Sequence, residues 1–263
     1  MELLNIKEYT KDWKAEMAYE ISQMAQAPTL SIYQVGDNEA SNRYVRNKLK
    51  DCEEVGIRAT HKLYDESVTE EELMEDIYYR DNSDGIIVQL PLPPHIDAKR
   101  IARAIPVEKD VDGFREGSPF MCCTPGGIIQ YLDSCGFRYE GSNAVVIGRS
   151  EIVGKPMARY LVDRHCTVTI CHSKTSKNYL YTLLNWADLV ICAVGKRGVF
   201  RSSEVDPKTV VIDVGINFDE NGKLCGDVIN DAGSVNVTPV PGGVGLLTRC
   251  QLLANTIEAA KRG

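Results

Sequence analysis

One stretch constrains the fold more than any other: Val145-Val-Ile-Gly148-Arg-Ser-Glu-Ile-Val-Gly154-Lys-Pro156, an apolar strand running into glycines and then into an amphipathic segment. A buried strand that ends in glycine can turn tightly. The helix that follows offers unpaired backbone N–H groups and the positive end of its dipole to a pyrophosphate. The spacing departs from Gly-x-Gly-x-x-Gly, because Arg149-Ser150 stands where the second glycine would be, so the surrounding sequence has to decide. About twenty residues further on, where NAD sites place an acid for the ribose 2′-hydroxyl, the next strand ends in His172-Ser173-Lys174-Thr175. A hydroxyl and a cation there, with Arg149 in the first turn, suit a 2′-phosphate, and the expected cofactor is NADP.

The second half continues as alternating strands and helices, the pattern of a parallel sheet covered on both faces. Strands are expected over 143–147, 166–171 and 188–194, and helices over 155–163 and 178–186. The short β-branched runs 209–214 and 235–239 suit later strands of the same sheet. In the first half, 29–33 and 85–89 read as strands with helical patterns between and after them. A helix over 41–55 has Ser41 as its cap, Val45, Leu49 and Cys52 on one stripe, and Gly56 just past its end. Thr124-Pro125 opens a helix between the halves that stops near Gly136, and 246–261 is helical by composition. The expected fold is α/β with two α/β domains. Residues 1–121 form the first, with a C-terminal helix 246–263 packing back on it. Residues 122–245 form a Rossmann-type wound parallel sheet, and the active site lies in the cleft between the two.

At 263 residues the chain has room for two domains of the usual ~100–200 residues. A net charge of −7 argues against nucleic-acid and membrane-surface roles, which need a basic excess to meet phosphates. Neither a signal-peptide pattern nor an apolar run long enough to span a bilayer is read, so the expected location is the cytoplasm. Nine cysteines without a Cys-x-x-Cys pair read as buried thiols. Cys166 and His172 share a strand face but stand ~20 Å apart, too far for one ion, and no metal is assigned.

Several patterns are suited to chemistry. Tyr44 and Lys48 are four apart and emerge from one helix face beside Val45 and Leu49. Desolvation there disfavours a charged amine and favours one that transfers protons, although the spacing equally suits a lysine whose stem packs on the core and whose head reaches water. Val88-Gln89-Leu90-Pro91-Leu92-Pro93 leaves a strand at its carboxyl end, the edge where open α/β sheets place ligands, or is simply a rigid turn. Lys109-Asp110-Val111-Asp112-Gly113-Phe114 is an acidic loop, one of whose carboxylates could hydrogen-bond a nitrogen-rich ring. The loop Thr238-Pro239-Val240-Pro241-Gly242-Gly243-Val244-Gly245 allows close backbone approach to a ligand, or is a plain turn.

Together these segments, with Cys123-Thr-Pro125 and Gly148-Arg-Ser-x-Ile-Val-Gly-x-Pro156, stand in the order seen in one family. The chain resembles methylenetetrahydrofolate dehydrogenase/methenyltetrahydrofolate cyclohydrolase. The resemblance implies a folate substrate. Hydride passes from 5,10-methylenetetrahydrofolate to NADP⁺, and water then opens the methenyl product to 10-formyltetrahydrofolate. It also implies roles: Lys48 moves the protons of ring opening, Gln89 holds and tunes Lys48, Tyr44 orients the folate, and Asp112 hydrogen-bonds the pterin. Arg149, Ser150 and Ser173 would hold the NADP phosphates, with Gly148 and Ile216 lining the cofactor. Val88, Leu90, Pro241, Gly242, Gly243, Val244 and Gly245 would complete the substrate wall. A homodimer is the family's usual state. Two departures stand out: residues 115–122 form a shorter loop than family members carry, and Leu246-Leu247 replaces the common Pro-Met. The alternatives are a dehydrogenase without cyclohydrolase activity and a non-catalytic NADP-binding regulator.

Overall fold

The computed structural model describes residues 3, 5–232 and 236–263. The chain divides into two compact units, one of residues 11–123 and 249–263 and the other of residues up to 10 and 124–248.

In chain order, α1 spans Ile6–Ser22, β1 Thr29–Val35, α2 Glu39–Val55, β2 Arg58–Tyr64, α3 Glu70–Glu75, β3 Gly85–Val88 and α4 Ala98–Ala104. The parallel sheet of the first unit has the order β2-β1-β3. β1 is central and buried on both faces, with Leu30 and Ile32 in one core, Tyr33 and Val35 in the other, and the polar Ser31 and Gln34 buried among them. β2 lies at the edge, and its sequence Arg-Ala-Thr-His-Lys-Leu-Tyr lacks an apolar run, which is why no strand is expected there from sequence. α2 buries Val45, Cys52 and Val55. Its cap is Asn38, not Ser41: the Asn38 side chain accepts from the backbone N–H of Ser41, while Gly56 closes the other end in the left-handed conformation at φ +93°.

The remaining elements are α5 Cys123–Ser134, β4 Asn143–Ile147, α6 Gly154–Val162, β5 Thr167–Cys171, α7 Lys177–Leu184, β6 Leu189–Cys192, β7 Val210–Asp213, the short pair β8 Asn217–Phe218 and β9 Leu224–Cys225, and α8 Val244–Arg262. The second sheet is parallel with the order β5-β4-β6-β7, and Ile147 stands in register with both Cys171 and Cys192. Gly148, His172, Ala193 and Val214 therefore leave the sheet at one edge. The strand expected over 235–239 contributes only a bridge from Val237 to Val211, and Val235 lies outside the described residues, as do Met1, Glu2 and Leu4 of the expected first domain. Residues 5–10 belong with this unit and not with the N-terminal half, because the Tyr9 ring packs edge-on against Tyr131 at 5.5 Å. α8 is divided after Thr248, and from Arg249 onward it belongs to the first unit, where Cys250, Leu252, Leu253 and Ile257 are core residues.

A polar network under β1 sets part of the acid stability. Burial pushes the Asp81 carboxyl up, but hydrogen bonds from Ser83, Ser31 and Tyr33 outweigh it and hold it at about 2. The folded value lies below the ordinary 3.8, so the folded chain binds fewer protons between the two. The contribution, about 2 kcal/mol, is present in full above pH ~4 and is lost as pH falls toward 2. Asp81→Asn should therefore lower stability in urea at pH 7 by about that amount, and the gap to wild type should narrow to roughly half by about pH 3 and close only toward about pH 2 and below. A gap that does not change with pH would contradict this.

Candidate active site

In the first unit, α2 and the end of β3 bring three of the candidate residues together. Lys48 Nζ donates to Gln89 Oε1 at 3.1 Å. Gln89 stands one residue beyond β3, its backbone N–H bonded to the Tyr33 carbonyl at 2.8 Å. Its amide nitrogen donates to the Leu90 carbonyl at 2.7 Å, which turns the amide oxygen toward the lysine. The Leu90–Pro91 peptide is cis. Tyr44, on the same α2 face as Lys48, is 46% exposed and Leu90 43%, so both offer surface to a ligand, while Lys48 and Val88 are partly buried.

Asp112 completes the group. Burial pushes its carboxyl up, and the nearby Lys48 ammonium and a hydrogen bond from Cys123 pull it back without cancelling the rise. Among the described residues, no carboxylate oxygen lies within 4 Å of Lys48 Nζ, so the amine is held by an amide and not locked in an ion pair. Cys123 donates to the Val111 carbonyl at 3.3 Å, and burial together with Asp112 pushes its thiol well above the usual range. It is a packing and orienting group, not a nucleophile.

The short 115–122 loop is pinned at both ends. Arg115 N–H donates to Asp110 Oδ2 at 2.7 Å, and Cys122 Sγ donates to the Gly113 carbonyl at 2.8 Å. Burial, with Asp112 adding, pushes the Asp110 carboxyl up to about 6 against the pull of that backbone N–H. From α8, Asn255 Nδ2 donates to the carbonyls of Val111 at 2.8 Å and Met121 at 2.9 Å, clipping the segment on either side of Asp112. Asn255 is not singled out in the sequence, and Cys123 enters there only within the Cys123-Thr-Pro125 motif, without a role. The available signal was an asparagine inside an otherwise apolar helix, which carries information only once its partners are known.

In the second unit, the candidate cofactor residues gather at the carboxyl edge of the sheet. Gly148 follows β4 at φ +127°, and a Cβ there would overlap the carbonyl oxygen of Ala193 beyond β6. Only glycine lets these strand ends approach so closely. Ser150 Oγ accepts from the backbone N–H groups of Val153 (3.2 Å) and Gly154 (3.3 Å) at the start of α6, leaving its own O–H to donate to an anion. Arg149 and Ser173 are exposed, the latter just past β5, and Ile216 beyond β7 is 53% exposed. No carboxylate stands at the end of β5 among His172, Ser173, Lys174 and Thr175, so a ribose 2′-phosphate would meet no repulsion there.

The loop 241–245 belongs to this unit. Val240–Pro241 is cis, and Gly242 has φ +90°. A Cβ at Gly243 would overlap the Pro239 carbonyl. Val244 is buried, so the groups this loop presents outward are Pro241 and Gly245. Leu247, at the second departure from the family pattern, is fully buried, and Thr248 Oγ1 pairs with Thr124 Oγ1 at 3.0 Å.

Residues 4–112 match the catalytic domain of the tetrahydrofolate dehydrogenase/cyclohydrolase family, and residues 122–263 match its NAD(P)-binding domain. Over 253 residues the chain is 49% identical to the bifunctional protein FolD of Polaromonas naphthalenivorans, covering 90% of this chain and 89% of that protein. It is similar to the solved structure of the bifunctional FolD methylenetetrahydrofolate dehydrogenase/cyclohydrolase of Campylobacter jejuni, with a TM-score of 0.92, 39% identity, and coverage of 99% of this chain and 98% of that one. The FolD of Trypanosoma brucei, solved in complex with NADP cofactor and an inhibitor, gives a TM-score of 0.90 at 30% identity, covering 99% and 97%.

Proposed function

The chain belongs to the tetrahydrofolate dehydrogenase/cyclohydrolase family, and on that premise we propose how its residues divide the two reactions and which nicotinamide cofactor they take. The protein oxidises 5,10-methylenetetrahydrofolate to the methenyl cation and hydrolyses that cation to 10-formyltetrahydrofolate. Its relatives are bifunctional, and neither a dehydrogenase alone nor a non-catalytic regulator is favoured.

The residues at the carboxyl edge of the second sheet fit NADP⁺. The Gly148 cradle would be filled by any Cβ, the Ser150 hydroxyl has its proton available, and Arg149 and Ser173 stand where a 2′-phosphate needs donors. When bound, NADP⁺ supplies the acceptor for the hydrogen and two electrons that leave the methylene carbon. For this step the chain's own contribution is positioning. Tyr44 and Leu90 offer exposed surface to the folate, and the Asp112 carboxyl, pushed up by burial, is placed to hydrogen-bond a pterin ring nitrogen.

Ring opening is assigned to Lys48. Its amine takes the proton of the water that adds to the methenyl carbon, then returns it to the folate nitrogen as the carbon–nitrogen bond breaks, leaving the formyl group on the other nitrogen and releasing one proton overall. Gln89 fixes the amine through its carbonyl oxygen and carries no charge, so it orients Lys48 in either protonation state. The observation that carries this reading is the 3.1 Å contact between Lys48 and Gln89 beside Asp112.

We also place the protein in the cytoplasm, where its nine cysteines stay free, and as a homodimer, for which Ile170 on edge strand β5 (42% exposed) and Val162 (56% exposed) offer apolar surface. No described helix is long and apolar enough to cross a membrane.

The cofactor assignment is tested by replacing the proposed 2′-phosphate donors. Arg149→Ala should weaken NADP⁺ binding by roughly 10-fold or more, as loss of a charge-assisted contact does, and leave NAD⁺ binding nearly unchanged. Equal loss for both dinucleotides would refute the 2′-phosphate assignment.

A further inference from the structure

Two carboxylates with no role in the family reading lie beneath the carboxyl edge of the second sheet. Asp227 is fully buried at 0% exposure. Its Oδ2 accepts from the backbone N–H groups of Val194 at 2.7 Å and Gly195 at 2.9 Å, and its Oδ1 from Asn217 Nδ2 at 2.8 Å. Asp213, the last residue of β7, accepts from Gly215 N–H and Asp227 N–H through Oδ1 and from Val228 N–H through Oδ2, each at 2.9 Å. Glycines admit both carboxylates. A Cβ at Gly215 would overlap Asp227, and a Cβ at Gly226 would overlap Asp213. Each aspartate thus sits in a notch provided by a glycine beside the other.

What these groups hold is specific. Parallel strands β6 and β7 end at Cys192 and Asp213, so the N–H groups just beyond them lose their place in the ladder and need other acceptors. A carboxylate supplies two oxygens that only accept, which suits a site where every neighbour donates. The residues fixed this way flank two exposed apolar side chains at the ends of β6 and β7. Val194 is 46% exposed, and its own N–H is held by Asp227. Ile216 is 53% exposed and lies between Gly215, held by Asp213, and Asn217, which donates to Asp227.

The proposed phosphate donors Arg149 and Ser173 stand at the ends of β4 and β5, so in the order β5-β4-β6-β7 the ends of β6 and β7 take the other half of a dinucleotide laid along the edge. We infer that Asp213 and Asp227 are positioning residues that set Val194 and Ile216 as a rigid apolar seat for the nicotinamide half of the cofactor. This rests on the cofactor-site reading given above.

Asp227→Asn tests it, because the amide either turns a donor toward the two backbone N–H groups or forces the Asn217 amide to flip, and in both cases the charge shared by the three donors is lost. Hydrogen exchange at Val194 and Gly195 should accelerate, and the NADP⁺ dissociation constant measured by calorimetry should rise about 10-fold or more, the consequence of about 1.4 kcal/mol or more lost at the seat. Hydrolysis of methenyltetrahydrofolate without cofactor, which uses Lys48 in the other unit, should fall by less than about 2-fold, within the ±0.5 kcal/mol typical of substitutions away from a site. Adding Asn217→Asp to that variant restores the pairing with donor and acceptor exchanged. The new amide at position 227 then donates to the new carboxylate at position 217 and keeps its oxygen for both backbone N–H groups, so most of the affinity should return.

Faster exchange with unchanged NADP⁺ affinity, parallel loss of both activities, or no recovery in the double variant would each overturn the inference. Should Asp227→Asn fail to fold, Asn217→Ala removes a single donor at a partly exposed position, and an unchanged dissociation constant there would overturn it equally. The cofactor-site reading fails separately, if Arg149→Ala leaves NADP⁺ binding intact.

Discussion

Lys48→Met is expected to abolish ring opening while NADP⁺ binds as in wild type. Methionine keeps an unbranched stem of similar length at this partly buried position but has no proton to move, so the loss isolates the amine from the stem. General acid–base catalysis by one group is worth about 10²–10⁴-fold, and a slowing in that range should be seen when methenyltetrahydrofolate is supplied directly. Lys48→Arg separates charge from proton transfer. A guanidinium keeps the cation near Asp112 but cannot be deprotonated, so it should be as slow as methionine. An arginine variant near wild-type rate would mean that positive charge, not proton movement, is what the site needs. The NADP⁺ dissociation constant is the control, since the dinucleotide residues proposed above lie in the other unit.

Gly148→Ala is expected to disable the cofactor site and to destabilise the unit that carries it. Two costs coincide. At φ +127° the backbone lies outside the region that L side chains readily adopt, and the added Cβ meets a backbone carbonyl, that of Ala193, which cannot rotate away. A flexible side chain could yield, but a strand end cannot move without disturbing β4 or β6. The combined cost is put at about 3 kcal/mol, which for a unit of this size corresponds to a drop of about 10 °C in melting temperature. NADP⁺ binding should weaken by at least about 100-fold, because the strand ends that frame the pyrophosphate are forced apart. Gly222, at φ +72° with nothing within 4 Å of its Cβ position, is the matched control, since alanine there meets only the backbone strain. Equal effects at the two glycines would show that conformation alone, and not the close approach to Ala193, sets the requirement.

How much could be read in advance depended on what each residue answers to. β4 over 143–147 is legible to the residue, because a run buried on both faces leaves its signature in composition. β2 is not. An edge strand faces water on part of its surface, and Arg58, Thr60 and Leu63 are exposed, so neither an apolar run nor clean alternation marks it. α2 starts at Glu39, two residues before the start expected from sequence. Asn38 and Ser41 both have capping side chains, and only the hydrogen bond from Ser41 N–H to Asn38 Oδ1 distinguishes them.

Lys48 and Gln89 meet across 41 residues of chain, and Asn255 reaches Val111 across 144, so their partnerships exist only in three dimensions. Their residue types could be noticed singly, but the resemblance to a family joined them. Asp213 had a visible signal, a carboxylate closing the apolar run Val-Val-Ile, yet nothing in the sequence ties it to Asp227 fourteen positions on.

Ring opening is proposed to rest on an amine held by Gln89 and to proceed independently of the nicotinamide cofactor. The direct measurement is the decay of methenyltetrahydrofolate absorbance in the presence of wild-type protein and no NADP⁺. The expected decay is far faster than in buffer and falls to the buffer rate in Lys48→Met. A wild-type trace that overlays the buffer trace would contradict it.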